Sequence, residues 1–351
     1  MEAVNSIHTA NIFVVATALQ YICAEKIVER FENAPNKKNF LFLIKPGLVG
    51  FVEHDKWELV EENLPPRYCG EKGFWGKYKI VENNLDKVLG CCDDNFNNIV
   101  LHAAQISSLE ETNFLINGIR KDFPKSKFCV RILPDGIQNI CRYKKNILNQ
   151  YKKLYKKFIK LFFPKLNYYP IFGDKIGTDS KIVELIYILP NFPHEYESSR
   201  VRVVPLLGDV SNSSRGSSGK ALVIGQPLQS LGLVGEEGKS LIERSIASIV
   251  SAYSIDNILY KKHPKEEPCD RVFQNCKLLD IEIPLEKYFL ENHFDLIVGV
   301  CSTALYTART MFNDKTRVVS VGLNKLIFKE SFKDKKIYDL YRSLNIDIYD
   351  A

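Results

Sequence analysis

The stretch DLIVGVCSTALYTARTMF, residues 295–312, contains the elements that decide the fold. Its first part, LIVGV, is a short apolar run of the kind found in strands that are buried on both faces. The part that follows, TALYTARTMF, has apolar residues at helical spacing. A buried strand that leads directly into a helix is the repeating unit of a parallel sheet covered by helices. The sequence therefore predicts an α/β protein.

The same alternation of apolar runs and helical patterns appears in both halves of the chain. The runs of the first half are IFVVAT (12–17), FLFLIK (40–45), NIVLHAA (98–104) and CVRILPD (129–135). Those of the second half are ALVIGQPL (221–228), NILYKKHP (257–264), DLIVGVCST (295–303) and RVVSVGL (317–323). Between the halves, residues 196–220 are rich in Ser and Gly, which is typical of a linker. We predict Rossmann-like domains at 1–195 and 221–351, joined by a linker at 196–220.

Composition narrows the class of protein. A length of 351 residues exceeds what one hydrophobic core usually supports, and 45% apolar with 26% charged residues is typical of globular proteins. The nine cysteines do not have the spacing of a zinc site or a disulfide framework. No run is long enough to cross a bilayer, and no basic segment precedes the first apolar run. We therefore predict a cytoplasmic protein.

Positive charge is concentrated in one segment, residues 142–165, which we call the basic segment. It holds nine Lys/Arg and no acid, which leaves 39 basic and 42 acidic residues elsewhere. Apolar residues recur in it every three or four positions, which predicts an amphipathic cationic helix. The helix either packs on the domain with solvated lysines or faces an anionic lipid or acceptor, and the lysines for that role are Lys152, Lys153, Lys156 and Lys157. Because the basicity is local and nucleic-acid-binding motifs are absent from the sequence, no nucleic-acid partner is predicted.

Three short motifs place reactive side chains directly after predicted strands. His263 follows the strand of NILYKKHP, a position where ligands of open α/β sheets bind. Ser302 and Thr303 begin the helix after LIVGV, where free backbone amides bind phosphate. Asp135 ends a strand of the first domain, where a carboxylate can act as a general base. Each also has an ordinary explanation: a surface histidine, a helix N-cap, and an Asp–Gly turn.

In this order, LPDG, KKHP and CSTAL resemble the acidic-Gly, His-Pro and serine motifs of bacterial sialyltransferases. The chain is similar to glycosyltransferase family 52, the lipooligosaccharide sialyltransferases, and less closely to the bacterial polysialyltransferases. FVVATALQ (13–20), VIGQPL (223–228) and IPLEKYF (283–289) extend the resemblance along most of the chain. Pro134 and Ala18 depart from it, since an acid and a proline are common at these places. The resemblance implies a GT-B fold, with two Rossmann-like domains facing a central cleft.

By this resemblance the protein is an inverting sialyltransferase that moves N-acetylneuraminic acid from CMP-sialic acid to a terminal sugar. The preferred terminal sugar is galactose, on a bacterial surface glycan such as lipooligosaccharide or capsule. Asp135 would deprotonate the acceptor hydroxyl, and His263 would act on the CMP phosphate as acid or cation. The residues implied in donor binding are Gly225, Gln226, Lys262, Pro264, Glu286, Ser302 and Thr303.

The resemblance implies a CMP-sugar donor and an oligosaccharide or glycolipid acceptor as partners, with no metal or other cofactor required. An anionic membrane surface is a further expected partner, to which the protein would bind peripherally on the inner face of the bacterial membrane. Three alternatives stay open. They are a polysialyltransferase whose polyanionic product lies on the basic segment, a transferase for another CMP-nonulosonic acid or nucleotide sugar, and a non-enzymatic anion-binding module.

Overall fold

The chain divides into two compact units, each built on its own parallel sheet. The computed structural model describes residues 8–44, 50, 52–67, 73–107, 109–136, 151, 153–205, 218–274, 276–281, 283–312, 315–327 and 332–351. The first unit contains the described residues up to Asp135 and most of 151–205, whereas Asn191–Pro193 and the residues from 218 onward belong to the second. Residues 206–217 of the predicted linker lie outside the described residues.

The first unit contains a seven-stranded parallel sheet with the order β3-β2-β1-β4-β5-β6-β7. Its strands are β1 Thr9–Val15, β2 Lys37–Leu43, β3 Leu59–Glu61, β4 Asn98–Ala103, β5 Lys127–Ile132, β6 Val183–Ile188 and β7 Val201–Val203. Every residue of β1 is buried, as an apolar run in the middle of a parallel sheet must be. The last strand, β7, lies inside the stretch that the sequence assigns to the linker, and it pairs in parallel with β6.

Among the described residues of this unit, the sheet is covered by the helices α1 Ala18–Ile27, α2 Phe74–Leu89 and α3 Glu110–Asp122. Helix α1 begins at Thr17, whose side chain accepts a hydrogen bond from the backbone N–H of Gln20, and it continues into a π-helical turn at Val28–Glu32. Apolar side chains of the helices and of the central strands form one buried core. Short 3₁₀ helices occupy His54–Lys56, Lys153–Leu161 and Ser198–Arg200.

The second unit repeats the architecture with a six-stranded parallel sheet of order β10-β9-β8-β11-β12-β13. Its strands are β8 Lys220–Ile224, β9 Asn257–Lys261, β10 Lys277–Leu278, β11 Leu296–Gly299, β12 Arg317–Val321 and β13 Asp347–Tyr349. Its helices are α4 Glu236–Ala252, α5 Leu285–Glu291, α6 Thr303–Phe312 and α7 Phe332–Ser343, and 3₁₀ turns lie at Pro268–Asp270 and Leu323–Lys325. The four apolar runs of this half are thus β8, β9, β11 and β12. The predicted α/β class is confirmed.

The basic segment differs from its prediction. Residues 142–150 and Lys152 lie outside the described residues, but Lys153–Leu161 is a 3₁₀ helix, in which side chains three residues apart share a face. Lys156 and Ile159 therefore point the same way, and both are buried. Lys156 forms an ion pair with the buried Glu110 of α3, so this lysine does not face a partner at the surface.

Three large apolar side chains of the same helix are exposed. Tyr155, Phe158 and Leu161 also follow the three-residue period, and all three are exposed. The sequence predicted an α-helical period of 3.6 residues, with Tyr155 and Phe158 on its apolar face, and left open whether that face packs on the domain or faces a lipid or acceptor. In the part of the chain that the structure describes, no helix is both long and apolar enough to cross a membrane.

Candidate active site

The carboxylate of Asp135 lies where the carboxyl ends of three neighbouring strands meet. It follows β5, whereas Gln20 follows β1 and Gln105 follows β4, and these strands are adjacent in the sheet. Gln20 Nε2 donates to Asp135 Oδ1 at 2.7 Å, and Gln105 Nε2 donates to Asp135 Oδ2 at 3.1 Å. Each carboxylate oxygen thus has an amide donor, and such an oxygen can accept more than one hydrogen bond. The two amides therefore hold the Asp135 carboxylate in one orientation, in which it can accept a proton.

The start of α1 explains the position of Gln20. Its backbone N–H is capped by Thr17, and its Oε1 accepts the backbone N–H of Ala16 at 2.8 Å. The side-chain amide is therefore fixed with its nitrogen directed at Asp135. Gly136, directly after Asp135, has φ 60°, a left-handed conformation that suits glycine and turns the chain away. The sequence identified Asp135 but assigned no role to Gln20 or Gln105.

His263 lies two residues beyond β9, and the loop fixes the tautomer of its ring. The backbone N–H of Lys265 donates to His263 Nδ1 at 3.0 Å, so Nδ1 is an acceptor and the proton of the neutral ring lies on Nε2. Burial lowers the pKa of His263, the charge of Lys265 lowers it further, and Asp270 opposes them. At neutral pH the ring is thus a neutral N–H donor in the ligand-free protein, a form that the sequence did not distinguish from the cation.

A buried carboxylate, Glu266, holds this loop. Its Oε2 accepts the backbone N–H of His263 at 3.0 Å, and its Oε1 accepts the hydroxyl of Tyr260 at 2.9 Å. Burial and the neighbouring Glu266 raise the pKa of Tyr260, which keeps the hydroxyl protonated as a donor. A Cβ on Gly225 would lie 2.0 Å from Glu266 Oε2, so an alanine at the end of β8 would displace this carboxylate whether or not a nucleotide lies there. Local sequence patterns did not indicate the roles of Glu266 and Tyr260.

Gln226 joins the loop after β8 to the loop after β11. Its Nε2 donates to the carbonyl of Cys301, and its Oε1 accepts the Cys301 N–H at 2.6 Å. The next residue, Ser302, caps α6, since its Oγ accepts the backbone N–H of Ala304 at 3.2 Å. A hydroxyl that accepts one hydrogen bond can still donate its own proton to an anion. The strands β9, β8 and β11 are neighbours, so His263, Gly225, Gln226 and Ser302 lie at one edge of the sheet.

The other predicted donor residues lie around this edge. Thr303 is the first residue of α6, and Lys262 and Pro264 are exposed on either side of His263. Glu286 is in the first turn of α5, which packs against α6, and burial raises the pKa of its carboxyl group.

Two residues of the basic segment complete the predicted set. Lys153 donates to the backbone carbonyl of Ser107 at 3.0 Å, and Lys157 is exposed. Lys152 lies outside the described residues. Asp135 and the basic segment belong to the first unit, and the His263 set belongs to the second.

Comparison with known families gives one match. The sequence model of the Alpha-2,8-polysialyltransferase (POLYST) family matches residues 66–321, which include Asp135, His263, Ser302 and Thr303. This is the more distant of the two families that the sequence motifs resemble. No curated protein matches the sequence significantly.

Solved structures of bacterial sialyltransferases resemble the whole chain. The GT-B domain of the Photobacterium damselae enzyme has a TM-score of 0.51 and 12% identity, over 98% of this chain and 100% of that one. A further structure of the sialyltransferase of that species has a TM-score of 0.52 and 12% identity, over 98% and 82%. A 2,6-sialyltransferase from Photobacterium sp. JT-ISH-224, solved with CMP and lactose, has a TM-score of 0.50 and 10% identity, over 97% and 78%. At such identities the likeness shows the fold alone, and the predicted GT-B fold is confirmed.

Proposed function

The chain belongs to the alpha-2,8-polysialyltransferase family, and from this premise we propose that it transfers N-acetylneuraminic acid from CMP-sialic acid to the terminal sialic acid of a bacterial surface glycan. It is a glycosyltransferase with the fold of the sialyltransferases. The observation that carries the finer proposal is the hydrogen bond to His263 Nδ1, because it leaves an Nε2–H donor at the same edge of the sheet as the capped start of α6.

In this proposal Asp135 is the general base. It takes the proton of the acceptor hydroxyl while that oxygen forms its bond to the anomeric carbon of the donor, on the face opposite CMP, which inverts the configuration. Such a base is typically worth about 10²- to 10⁴-fold in rate. Gln20 and Gln105 support the role, since they hold both carboxylate oxygens and leave the group little freedom to turn away.

His263 stabilises the leaving group. As the bond between the anomeric carbon and the phosphate oxygen breaks, its electron pair goes to the phosphate of CMP, and His263 Nε2–H donates to the charge that develops there. The Ser302 hydroxyl, Thr303 and the first amides of α6 assist, because a helix N-terminus attracts anions. One such donor is worth roughly 3 kcal/mol of barrier. Lys262 adds positive field, Glu286 binds the ribose hydroxyls, and no metal is assigned a role.

Two finer points belong to the same proposal. A terminal galactose is the second candidate acceptor, because the motifs also resemble those of the lipooligosaccharide sialyltransferases. The enzyme would bind peripherally to an anionic membrane surface, where a glycolipid acceptor is presented, and the charge of the basic segment supports this.

The test is CMP release from CMP-N-acetylneuraminic acid with oligosialic acid, with lactose, or without acceptor. The proposal predicts that oligosialic acid stimulates release by the wild type and that Asp135→Asn and His263→Asn abolish it. Asp94→Asn and His54→Asn, at exposed positions, serve as matched controls and should stay fully active.

Each of the following results would contradict one part of the proposal. Stimulation by lactose alone would replace the acceptor with a galactoside. Full activity of either active-site variant would remove that residue from the mechanism. Absence of turnover and of CMP binding in the wild type would remove the donor.

A further inference from the structure

The first unit carries large apolar side chains on its surface that the reaction does not use. Trp75 is 61%, Phe158 66% and Leu161 75% exposed, and Phe74 and Phe162 are exposed as well. We call these five residues the aromatic patch. Single exposed apolar residues are ordinary, but a contiguous group of this size marks an interaction surface.

Ring contacts join three side chains of the patch, and Phe158 and Leu161 lie on the outer face of the helix that directly precedes Phe162. Trp75 and Phe74, at the start of α2, meet Phe162 with ring centroids 5.3 and 6.0 Å apart. Below them the buried Phe163 contacts Trp75 at 5.5 Å and Phe74 at 6.3 Å. The patch therefore joins two elements that are distant in sequence, and a buried ring fixes it from beneath.

The inner face of the Lys153–Leu161 helix explains why the outer face points to solvent. Lys156 pairs with Glu110, and Arg67 contacts the same carboxylate. Ile159 is buried one 3₁₀ turn later. Since these inner residues are fixed by a buried ion pair and by core packing, Phe158 is held outward by the three-residue period.

Charge and composition identify the kind of partner. Residues 73–80 and 153–165, which contain the patch, hold seven lysines, of which Lys156 is paired with Glu110 and Lys165 with Asp86. Two of the lysines, Lys157 and Lys160, lie on the exposed face adjoining Phe158 and Leu161. Aromatic rings beside exposed lysines are typical of surfaces that lie at the headgroup level of an anionic bilayer.

We propose that the aromatic patch docks on an anionic lipid bilayer, with its apolar side chains at the level of the headgroups and with Lys157 and Lys160 against lipid phosphates. A second copy of the chain is a poorer partner, because facing patches would oppose like charges. A polyanionic glycan is also poorer, because Phe158 and Leu161 offer it no hydrogen bonds.

The aromatic patch gives the membrane association in the proposed function a specific docking surface, and only the biological purpose of docking rests on that function. Vesicle binding is measured without donor or acceptor, so membrane docking and the transferase function can fail separately. Trp75 is a built-in reporter, because the other tryptophan, Trp57, is buried.

The experiment is sedimentation of the full chain with phosphatidylcholine vesicles that do or do not contain phosphatidylglycerol, together with tryptophan emission and acrylamide quenching. We expect binding to the anionic vesicles, with a blue shift and protection of Trp75 that Trp75→Phe removes. Joint replacement Phe158→Ser and Leu161→Ser should weaken binding at least about 10-fold, since it removes two buried apolar side chains from the bilayer. Ile327→Ser, at an equally exposed apolar residue of the second unit, is the matched control.

Four results would overturn the proposal. The first is failure of the wild type to bind anionic vesicles. The second is binding that leaves Trp75 emission unchanged or that the serine replacements do not weaken, since charge alone would then explain it. The third is protection of Trp75 by oligosialic acid instead of vesicles, which would make the patch an acceptor surface. The fourth is self-association that the serine replacements abolish, which would make it an interface between copies.

Discussion

Replacement of Gly225 by alanine adds a single methyl group where the second unit has no space for it. The new Cβ would lie 2.0 Å from Glu266 Oε2 and 2.7 Å from the hydroxyl oxygen of Tyr260, both far below contact distance. Because Tyr260 is held in the core, Glu266 must move. Its carboxylate then loses the hydrogen bonds from the Tyr260 hydroxyl and from the backbone N–H of His263.

Those two bonds set the expected magnitude. A hydrogen bond to a buried charged group is worth about 1.5–3 kcal/mol, and partial relaxation of the loop recovers some of the total. We therefore expect Gly225→Ala to lower the free energy of unfolding by about 3 kcal/mol. Gly235→Ala is the matched control, since its Cβ would meet nothing within 4 Å and its φ is −82°. It should change stability by less than about 1 kcal/mol.

Urea unfolding of the ligand-free variants and CMP titration calorimetry separate two explanations for this glycine. If Gly225 makes room for Glu266, alanine lowers both stability and CMP affinity, and Glu266→Gln lowers them too. If Gly225 serves only as a close approach for the nucleotide, alanine lowers CMP affinity and leaves the ligand-free stability unchanged. Wild-type stability in Gly225→Ala would refute a stabilising role for the Glu266 contact.

Three further results are expected. Gln20→Ala should lower kcat about 10-fold without raising the donor KM, because it frees Asp135 to turn, and an unchanged kcat in steady-state kinetics would contradict this. Burial raises the pKa of Glu110, but its bonds to Arg67 and Lys156 outweigh this and lower the pKa from 4.5 to about 2, so Glu110→Gln should cost about 3 kcal/mol in urea unfolding at pH 7. The stability that Glu110 contributes is present above pH 4.5 and lost as the pH falls towards 2. Asp86→Asn, which removes an exposed ion pair with Lys165, is the control and should not lower the free energy of unfolding to a comparable extent. Burial lowers the pKa of His102, so on acidification the unfolded chain takes up the proton before the folded protein does. The free energy of unfolding should therefore fall below pH 6.5 by up to about 1.4 kcal/mol per pH unit. His102→Gln should reduce this slope.

The sequence was sufficient where the chemistry is local. Apolar runs of four to seven residues followed by helical patterns predicted the parallel strands, and parallel strands have their carboxyl ends at one edge. Asp135, His263 and Ser302 were thereby predicted in loops at such edges, and the structure has each of them there. A loop position after a strand can therefore be read from periodicity alone.

The sequence was insufficient where a partner lies far along the chain. Gln20 is 115 residues from Asp135, and no local pattern links the two. Lys156 is 46 residues from Glu110, yet this pair buries a lysine that periodicity assigned to the surface. Over Lys153–Leu161 a period of 3.0 in place of 3.6 puts Lys156 on the inner face and Tyr155 and Phe158 on the outer face. Only tertiary contacts could decide between these two periods.

The hydrogen bonds of Gln226 and Glu266 hold the two loops of the proposed donor site. The amide nitrogen and oxygen of Gln226 are both engaged by the backbone of Cys301, so its main task is to hold the loop that presents Ser302. Glu266 does the same for the loop of His263. Ser302 and His263, the groups that the proposal assigns to the phosphate, are thus held in place by Gln226 and Glu266. Such preorganisation avoids the cost of ordering these loops when the charge on the leaving phosphate develops. In the proposed donor site Gln226 therefore both holds the Ser302 loop and offers its second amide N–H to the nucleotide.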